Sequence, residues 1–317
     1  MKKALKVTGK ILLGIVAVIA VVLAGTSTYN IICSASEKDL LENQLYGRKV
    51  EVYGHEMSIY VAGEGEHTLV FMAGSGDSAP IINYKNFADR FDEDYRVVVI
   101  EKFGYGFSDG FDGSRDVETR VKQDREALKK AGVEGPYILC PHSYSGLETV
   151  YWAQTYPDEV EAIIGLDMAV PASYDAMDEK HIDSGTRQFF WMRAARYAGI
   201  VRIVAGASIP EEYTDEEGKS AMALVCSSFS NETFANESKY IIHDRTLIES
   251  QEMPDVPTLL IISDGTVEEG WREYAEGYAS CVSDATIVQL DCGHDVYRLE
   301  PDKCENAMRD FLKRLEK

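Results

Sequence analysis

The chain has 317 residues, of which 45% are hydrophobic and 27% charged, and its formal net charge at pH 7 is -21. A surface this acidic repels the phosphates of nucleic acids and of anionic lipids, which argues against nucleic-acid binding and against adhesion of the folded part to an anionic membrane surface. The 6 cysteines show no paired Cys or His spacing of the kind that holds zinc, so we expect no metal site.

Residues 1–36 differ in composition from the rest of the chain. Four lysines, the last of them Lys10, precede an apolar stretch at residues 11–33. At about 1.5 Å per residue, a helix of this length crosses a hydrocarbon layer of about 30 Å. Because no small-x-small cleavage site follows, the stretch predicts an uncleaved membrane anchor, and a cleaved secretory signal is the alternative. The lysines are expected to stay in the cytoplasm, so the folded part lies outside the cell membrane, anchored by a single span or, in the alternative, secreted.

Residues 37–170 alternate between strand and helix patterns. The predicted strands are residues 50–53, 57–62, 68–73, 96–100, 137–140 and 161–166. The predicted helices are residues 81–91, 117–131 and 147–156. Strands and helices that alternate at these lengths predict an α/β fold, with a mainly parallel sheet that is covered by helices on both faces.

Strand patterns stop over residues 171–255 and return at 258–262 and 285–290, before a last helix at 301–315. We interpret 171–255 as a helical lid inserted between two strands, and 37–170 with 256–317 as the core. Because its large apolar residues have helical spacing, we expect them to form the lid's own core rather than to line an acyl pocket. They are Phe189, Phe190, Trp191, Met192 and Tyr197.

The junction after the strand at 137–140 has the pattern of a reactive serine. Ser143 ends the junction, and the small residues Ser145 and Gly146 follow it two and three positions later. A strand that turns abruptly into a helix holds the residue at the turn in a strained backbone conformation, with its side chain clear of the sheet. A larger side chain at 145 or 146 would clash where the helix crosses the strand. The pattern predicts a nucleophile at Ser143, and the alternative is an ordinary turn with a capping serine.

This junction resembles the nucleophile elbow, G-x-S-x-G, of the α/β-hydrolase superfamily, with Pro141 where the first Gly usually stands. Three further segments match that family in order over residues 48–317. Residues 74–76 resemble its oxyanion loop, residues 101–108 resemble its D-x-x-G-x-G-x-S turn with Glu for Asp, and His294 follows the last strand as the family's catalytic histidine does. The resemblance implies an eight-stranded sheet with a lid after the sixth strand, and neither a metal nor an organic cofactor.

The resemblance also implies the chemistry of a serine hydrolase. Serine is a weak nucleophile at pH 7, so a base must take its proton, and an imidazole with a pKa of about 6.5 suits that role. We assign the base to His294 and interpret His142 as a packing residue. By position in the family, the backbone N–H groups of Ser75 and Tyr144 would hold the oxyanion.

A serine at the elbow, where dehalogenases and epoxide hydrolases of the family have Asp, indicates transfer of an acyl group to water. The expected substrate is therefore a small acyl compound, and a carboxylic ester is favoured. Two alternatives are a peptidase that resembles proline iminopeptidases and a non-catalytic binding protein with the same fold.

Two residues are candidates for the acid that orients His294. Asp167 follows the sixth predicted strand in a Gly-Leu-Asp segment that resembles the one in which pancreatic-type lipases have their acid. Asp264 follows the seventh strand, but the usual family pattern would place its Asp two residues later, at Thr266. Both loops lie at the same end of a parallel sheet. The motif favours Asp167, with Asp264 as a loop cap.

Overall fold

The computed structural model describes residues 2–206, 209–210 and 212–315. Within these residues, eight strands form a single sheet. The strands are β1 (Arg48–Val52), β2 (His55–Ala62), β3 (Thr68–Met72), β4 (Arg96–Glu101), β5 (Tyr137–Ser143), β6 (Val160–Met168), β7 (Thr258–Ile262) and β8 (Ala285–Gln289). Their order in the sheet is β1-β2-β4-β3-β5-β6-β7-β8. β2 is antiparallel to both of its neighbours, and all other pairs are parallel, which confirms the predicted sheet.

The two central strands extend further than predicted. β5 continues to Ser143 and β6 to Met168, and these two residues are paired at the end of the parallel ladder. The carboxyl ends of neighbouring parallel strands lie at one edge of a sheet, where α/β proteins place their ligands. The elbow and the segment after β6 therefore meet at that edge.

The helices occupy the intervals between the strands. They are α1 (Lys2–Ser36), α2 (Lys38–Glu42), α3 (Pro80–Ala88), α4 (Val117–Lys130), α5 (Ser145–Thr155), α6 (Glu179–Tyr197), α7 (Ile200–Ala205), α8 (Asp215–Ser228), α9 (Glu232–Glu237), α10 (Ile241–Glu249), α11 (Trp271–Ala279), α12 (Val296–Leu299) and α13 (Pro301–Leu315). Short 3-10 turns lie at Asp89–Phe91, Pro157–Glu159, Pro171–Tyr174 and Ser238–Tyr240. α11 and α12 were not predicted from the sequence.

The two ends of α4 show how local chemistry sets helix boundaries. The carboxylate of Asp116 accepts a hydrogen bond from the backbone N–H of Thr119 at 2.7 Å, which satisfies a donor of the first turn. At the other end, Gly132 has φ +73° and the N–H of Val133 bonds the carbonyl of Leu128 at 3.0 Å. A glycine in this conformation closes a helix without steric cost, so the predicted end is confirmed.

Two hydrophobic cores lie on opposite faces of the sheet. Val70 and Met72 of β3 belong to one core with α4, α5 and α11, while Leu69 and Phe71 belong to the other with α3 and α13. The period of two along a strand sends alternate side chains to opposite faces, so a strand covered on both sides is apolar throughout. The helical cover predicted for both faces is present.

By its internal contacts the chain divides into two units. The first contains Met1–Leu45 and Gln188–Ser230, and the second contains Tyr46–Arg187 and Asn231–Lys317. The sheet belongs to the second unit. The segment 171–255, interpreted above as a lid, contributes to both.

The first unit contains the 35-residue helix α1. Its stretch Val7–Ser36 is long and apolar enough to cross a membrane, and the apolar window within it is 0% buried. An anchor and a signal sequence share this property. The second half of α1 contacts α7 and the residue that follows α6: Thr26 Oγ1 donates to the carbonyl of Ala198 at 2.7 Å, and Arg202 Nε donates to Asn30 Oδ1 at 2.9 Å.

The expectation that the aromatic residues of the lid form a core is wrong for three of them. Phe190, Trp191 and Tyr197 are 55%, 69% and 65% exposed. The buried side of this segment is occupied instead by Arg196 and Arg202, whose polar groups bond α1 and α8. Helical spacing identified an apolar stripe but not the direction in which it faces.

Candidate active site

The structure places Ser143 at a strained turn between β5 and α5. Its φ is +52°, a value that costs a non-glycine residue roughly 1–3 kcal/mol and that is found mostly at functional sites. The neighbouring glycine is required: a Cβ on Gly146 would lie 1.9 Å from the carbonyl oxygen of Ala169. The predicted need for a small residue at 146 is confirmed. Ser145 is buried and its Oγ bonds the carbonyl of Met72 at 2.7 Å, so this serine fixes the elbow.

The predicted oxyanion loop passes directly against the elbow. A Cβ on Gly74 would lie 2.8 Å from the Cβ of Ser143 and 3.0 Å from Nδ1 of His142, so this approach requires glycine. Tyr144 precedes α5, whose first N–H groups have no partner within the helix. The loop and the helix N-terminus thus flank Ser143, as oxyanion donors at Ser75 and Tyr144 would require.

Asp167 and His294 are joined by a short hydrogen bond. His294 Nδ1 lies 2.6 Å from Asp167 Oδ2. The other oxygen of Asp167 accepts bonds from the backbone N–H of Ser263 at 2.8 Å and from Trp271 Nε1 at 2.9 Å. Burial opposes ionisation of Asp167, but the bonds from His294, Ser263 and Trp271 together hold its pKa below the usual value. The carboxylate is therefore ionised and its orientation is fixed from both sides.

Like Ser143, Asp167 has a positive φ, +50°. Ser143 and Asp167 thus have strained backbone conformations at the ends of adjacent strands. A positive φ in a non-glycine residue lowers the stability of the fold and persists only where the surrounding structure enforces it.

The alternative acid, Asp264, makes local contacts. Its Oδ1 accepts bonds from the backbone N–H and the hydroxyl of Thr266 at 2.9 and 2.7 Å, and these bonds lower its pKa. This is the geometry of an Asx turn. The structure brings Asp167 to His294 and leaves Asp264 as a cap of its own loop.

The side chain of His142 packs against His294. Its Nε2 is 3.2 Å from the carbonyl oxygen of His294, and the two ring centroids are 4.5 Å apart. A carbonyl oxygen only accepts, so Nε2 carries the hydrogen and donates. Burial, with a further contribution from His294, lowers the pKa of His142 to about 4, which keeps the ring neutral at pH 7. These contacts are those of a packing residue that supports the loop of His294.

A cavity of about 300 Å³ opens at the edge of the sheet, at the lower end of the size range of small-molecule sites. Its lining residues are Gly74, Ser75, Gly76, Asp77, Asn83, His142, Ser143, His294, Asp295, Tyr297 and Arg298. Of the predicted site residues, Ser75, Ser143 and His294 share this lining. Asp77 was not predicted from the sequence to line this cavity. Its Oδ1 accepts hydrogen bonds from the backbone N–H of Ala79 at 3.0 Å and from Asn83 Nδ2 at 2.6 Å. Burial raises the pKa of Asp77 to about 6.

A buried ionic network holds the side chain of Tyr144. The hydroxyl of Tyr144 is 3.2 Å from both Arg120 NH2 and Asp244 Oδ2, and these two groups are 3.0 Å apart. Arg120 Nε also bonds Glu148 at 2.6 Å, and Lys102 Nζ bonds the same carboxylate at 3.0 Å. Buried charges of this kind are tolerated only when each is paired. The sequence held one signal of this network, because Arg120, Gln123 and Asp124 interrupt the apolar side of α4.

The turn after β4 explains the match at residues 101–108. The buried carboxylate of Glu101 accepts bonds from the N–H groups of Phe107 and Ile81 at 2.7 and 3.1 Å. A Cβ on Gly106 would lie 2.0 Å from this carboxyl group, so glycine is needed there. Burial raises the pKa of Glu101 to about 8. The motif is thus a structural turn that fixes the start of α3 beside the oxyanion loop.

No protein-family model matches the chain. YbdG, an uncharacterised protein of Bacillus subtilis, is 29% identical over 328 residues, which cover 99% of this chain and 100% of the relative.

An epoxide hydrolase of Bacillus megaterium superposes with a TM-score of 0.65 at 17% identity, covering 84% of this chain and 100% of its own. A thermophilic esterase of Thermogutta terrifontis superposes with a TM-score of 0.66 at 17% identity, covering 85% and 99%. The chain therefore has the α/β-hydrolase fold, which the sequence resemblance predicted.

Proposed function

We propose that this protein is a serine hydrolase that cleaves carboxylic esters through an acyl-enzyme intermediate. The observation that carries the proposal is the ionised, buried Asp167 bonded to His294, which lines the same cavity as the strained Ser143. A fixed carboxylate holds the imidazole in the tautomer whose Nε2 can accept a proton.

In the proposed reaction, Ser143 Oγ attacks the carbonyl carbon and its proton passes to His294 Nε2. The oxyanion of the tetrahedral intermediate accepts bonds from the backbone N–H groups of Ser75 and Tyr144, and one such donor is worth about 10²–10³ in kcat. The bond to the leaving alcohol then breaks, and the proton on His294 passes to the alcohol oxygen. A water molecule releases the acid from Ser143 by the same steps.

The choice of reaction rests on the nucleophile, since both esterases and epoxide hydrolases share the fold. If Ser143 opened an epoxide, its oxygen would form an ether with the product. An ether has no carbonyl carbon for water to attack, so the product would stay bound to the serine. An acyl group on the same oxygen forms an ester, which a second attack at the carbonyl carbon cleaves. Esters therefore fit Ser143, whereas epoxides call for a carboxylate nucleophile.

A panel of p-nitrophenyl esters of increasing acyl length, with proline naphthylamide and a styrene oxide beside them, tests this proposal. We expect turnover of the esters, with preference for short acyl groups in a cavity of about 300 Å³. Ser143→Ala should abolish it, and Ser280→Ala, at an exposed serine of the same unit, should not. Faster cleavage of the amide would favour the peptidase, and a folded protein without turnover of any compound would favour the binding protein.

We further propose that residues 1–36 anchor the protein in the cell membrane, with the lysines in the cytoplasm and the catalytic unit outside. The length and exposure of Val7–Ser36 support this proposal. Protease added to intact cells should remove the catalytic unit from them. A soluble product whose N-terminus lies at or after Thr26 would instead show a cleaved signal and a secreted protein.

A further inference from the structure

The first unit exposes a set of large apolar side chains beside the second half of α1, which we call the stripe. Tyr197 follows Phe190 in α6 by seven residues, about two helical turns, and Trp191 stands next to Phe190, so the three side chains share one side of the helix. The stripe continues after Gly199 with the exposed residues of α7. These are Ile200, Ile203 and Val204.

The burial pattern of this segment is inverted relative to that of a water-soluble helix. Arg196 and Arg202 are only 6% and 7% exposed, while the aromatic and branched residues face outward. Arg196 NH1 donates to the carbonyl of Ser227 at 2.6 Å, and the guanidinium of Arg202 bonds Glu37 at 2.5 and 2.7 Å. Water-soluble surfaces rarely expose contiguous apolar patches, and such patches mark protein or membrane contacts.

The place where this segment meets α1 indicates which contact it makes. Thr26 Oγ1 bonds the carbonyl of Ala198, and a Cβ on Gly199 would lie 2.4 Å from the carbonyl of Thr26. A span that enters the hydrocarbon near residue 11 rises by about 1.5 Å per residue and leaves a layer of about 30 Å near Asn30. The stripe is therefore fixed to α1 at the level of the outer headgroups, where Trp and Tyr side chains are enriched.

We propose that residues 190–204 form an interfacial membrane contact, with the stripe inserted at the boundary of headgroups and acyl chains. The partner is the lipid bilayer in which α1 is anchored. The contact buries apolar area and needs no anionic lipid, in keeping with the acidic chain. This inference rests on the proposed anchor and is independent of the proposed chemistry at Ser143.

Tryptophan fluorescence of the full chain in phosphatidylcholine vesicles tests the contact. Trp152 and Trp271 are 0% and 6% exposed, so quenchers should report mainly on Trp191. Lipids brominated close to the headgroup should quench its emission, and aqueous acrylamide should not. Trp191→Phe should abolish the effect of the brominated lipid.

Two results would overturn the inference. The first is a Trp191 whose emission brominated lipid leaves unchanged while acrylamide quenches it. The second is protection of Trp191 from acrylamide that depends on protein concentration without lipid, which would indicate a second copy of the chain as the partner.

Extraction with alkaline carbonate separates this inference from the anchor. A chain that resists extraction while Trp191 stays in water keeps the anchor and refutes the contact. A chain that is extracted, although Trp191 is quenched by lipid before the wash, refutes the anchor and supports the contact.

Discussion

Asp167→Asn is the substitution that most sharply separates the two candidate acids. The amide oxygen of Asn can still accept the bonds from Ser263 N–H and Trp271 Nε1, which lie at 2.8 and 2.9 Å. Its NH₂ group would then face His294 Nδ1, where Asp167 Oδ2 now accepts at 2.6 Å. A donor at that position forces the hydrogen onto Nε2 of the imidazole. In that tautomer, His294 cannot accept the proton of Ser143.

The expected loss follows from this change of tautomer. Comparable substitutions in a serine protease triad lower kcat by about 10⁴-fold, and we expect a loss of that order in kcat/KM for p-nitrophenyl acetate. Asp264→Asn is the matched control. It changes an Asx turn closed by Thr266 and should lower kcat/KM less than about tenfold.

Circular dichroism and thermal melts must first show that both variants fold. A loss below about tenfold in Asp167→Asn, or a larger loss in Asp264→Asn than in Asp167→Asn, would refute the assignment of the acid.

Three further variants test the surroundings of the site. His142→Ala removes one hydrogen bond to the carbonyl of His294, so kcat/KM should fall only about tenfold. A total loss of activity in the folded variant would instead make His142 a catalytic residue. Asp244→Asn weakens the network around Tyr144 and should lower kcat about tenfold with KM little changed. An unchanged kcat would show that the network does not position the backbone N–H of Tyr144.

Asp124→Asn tests how the stability of the protein depends on pH. Burial, with a further contribution from neighbouring Glu148, raises the pKa of Asp124 to about 8. Between about pH 4 and about pH 8 the folded state therefore holds a proton on Asp124 that the unfolded state has lost, so the free energy of unfolding falls as the pH rises. In urea titrations, the free energy of unfolding of the native protein should fall by about 2 kcal/mol relative to that of the variant between about pH 6 and about pH 8. Free energies of unfolding that change with pH in the same way in both proteins would contradict this.

The strands were predictable because a buried parallel strand is a short apolar run closed by glycine or a turn. The elbow was predictable for a related reason, since Gly146 and Ser143 meet steric demands that few sequences satisfy. The serine and histidine of the proposed site follow from their positions, Ser143 at the end of β5 and His294 after β8.

Other features depend on contacts between distant segments. Asp167 and Asp264 stand at the same sheet edge, and the bond that identifies Asp167 as the acid joins it to His294, which is distant in the sequence. Trp271, the second support of Asp167, lies in a helix whose short pattern was missed. The orientation of the stripe around Trp191 depends on which side of α6 α1 and α8 occupy, and helical periodicity carries no such information.

The central claim is that Ser143 is the nucleophile, and covalent labelling tests it most directly. The full chain is treated with a fluorophosphonate, digested and analysed by mass spectrometry. The account predicts one phosphonyl group on the peptide that contains Ser143, no labelling of Ser143→Ala, and slower labelling in the presence of an ester substrate. A folded protein that stays unlabelled, or a Ser143→Ala variant that is labelled as fast as the native chain, would contradict it.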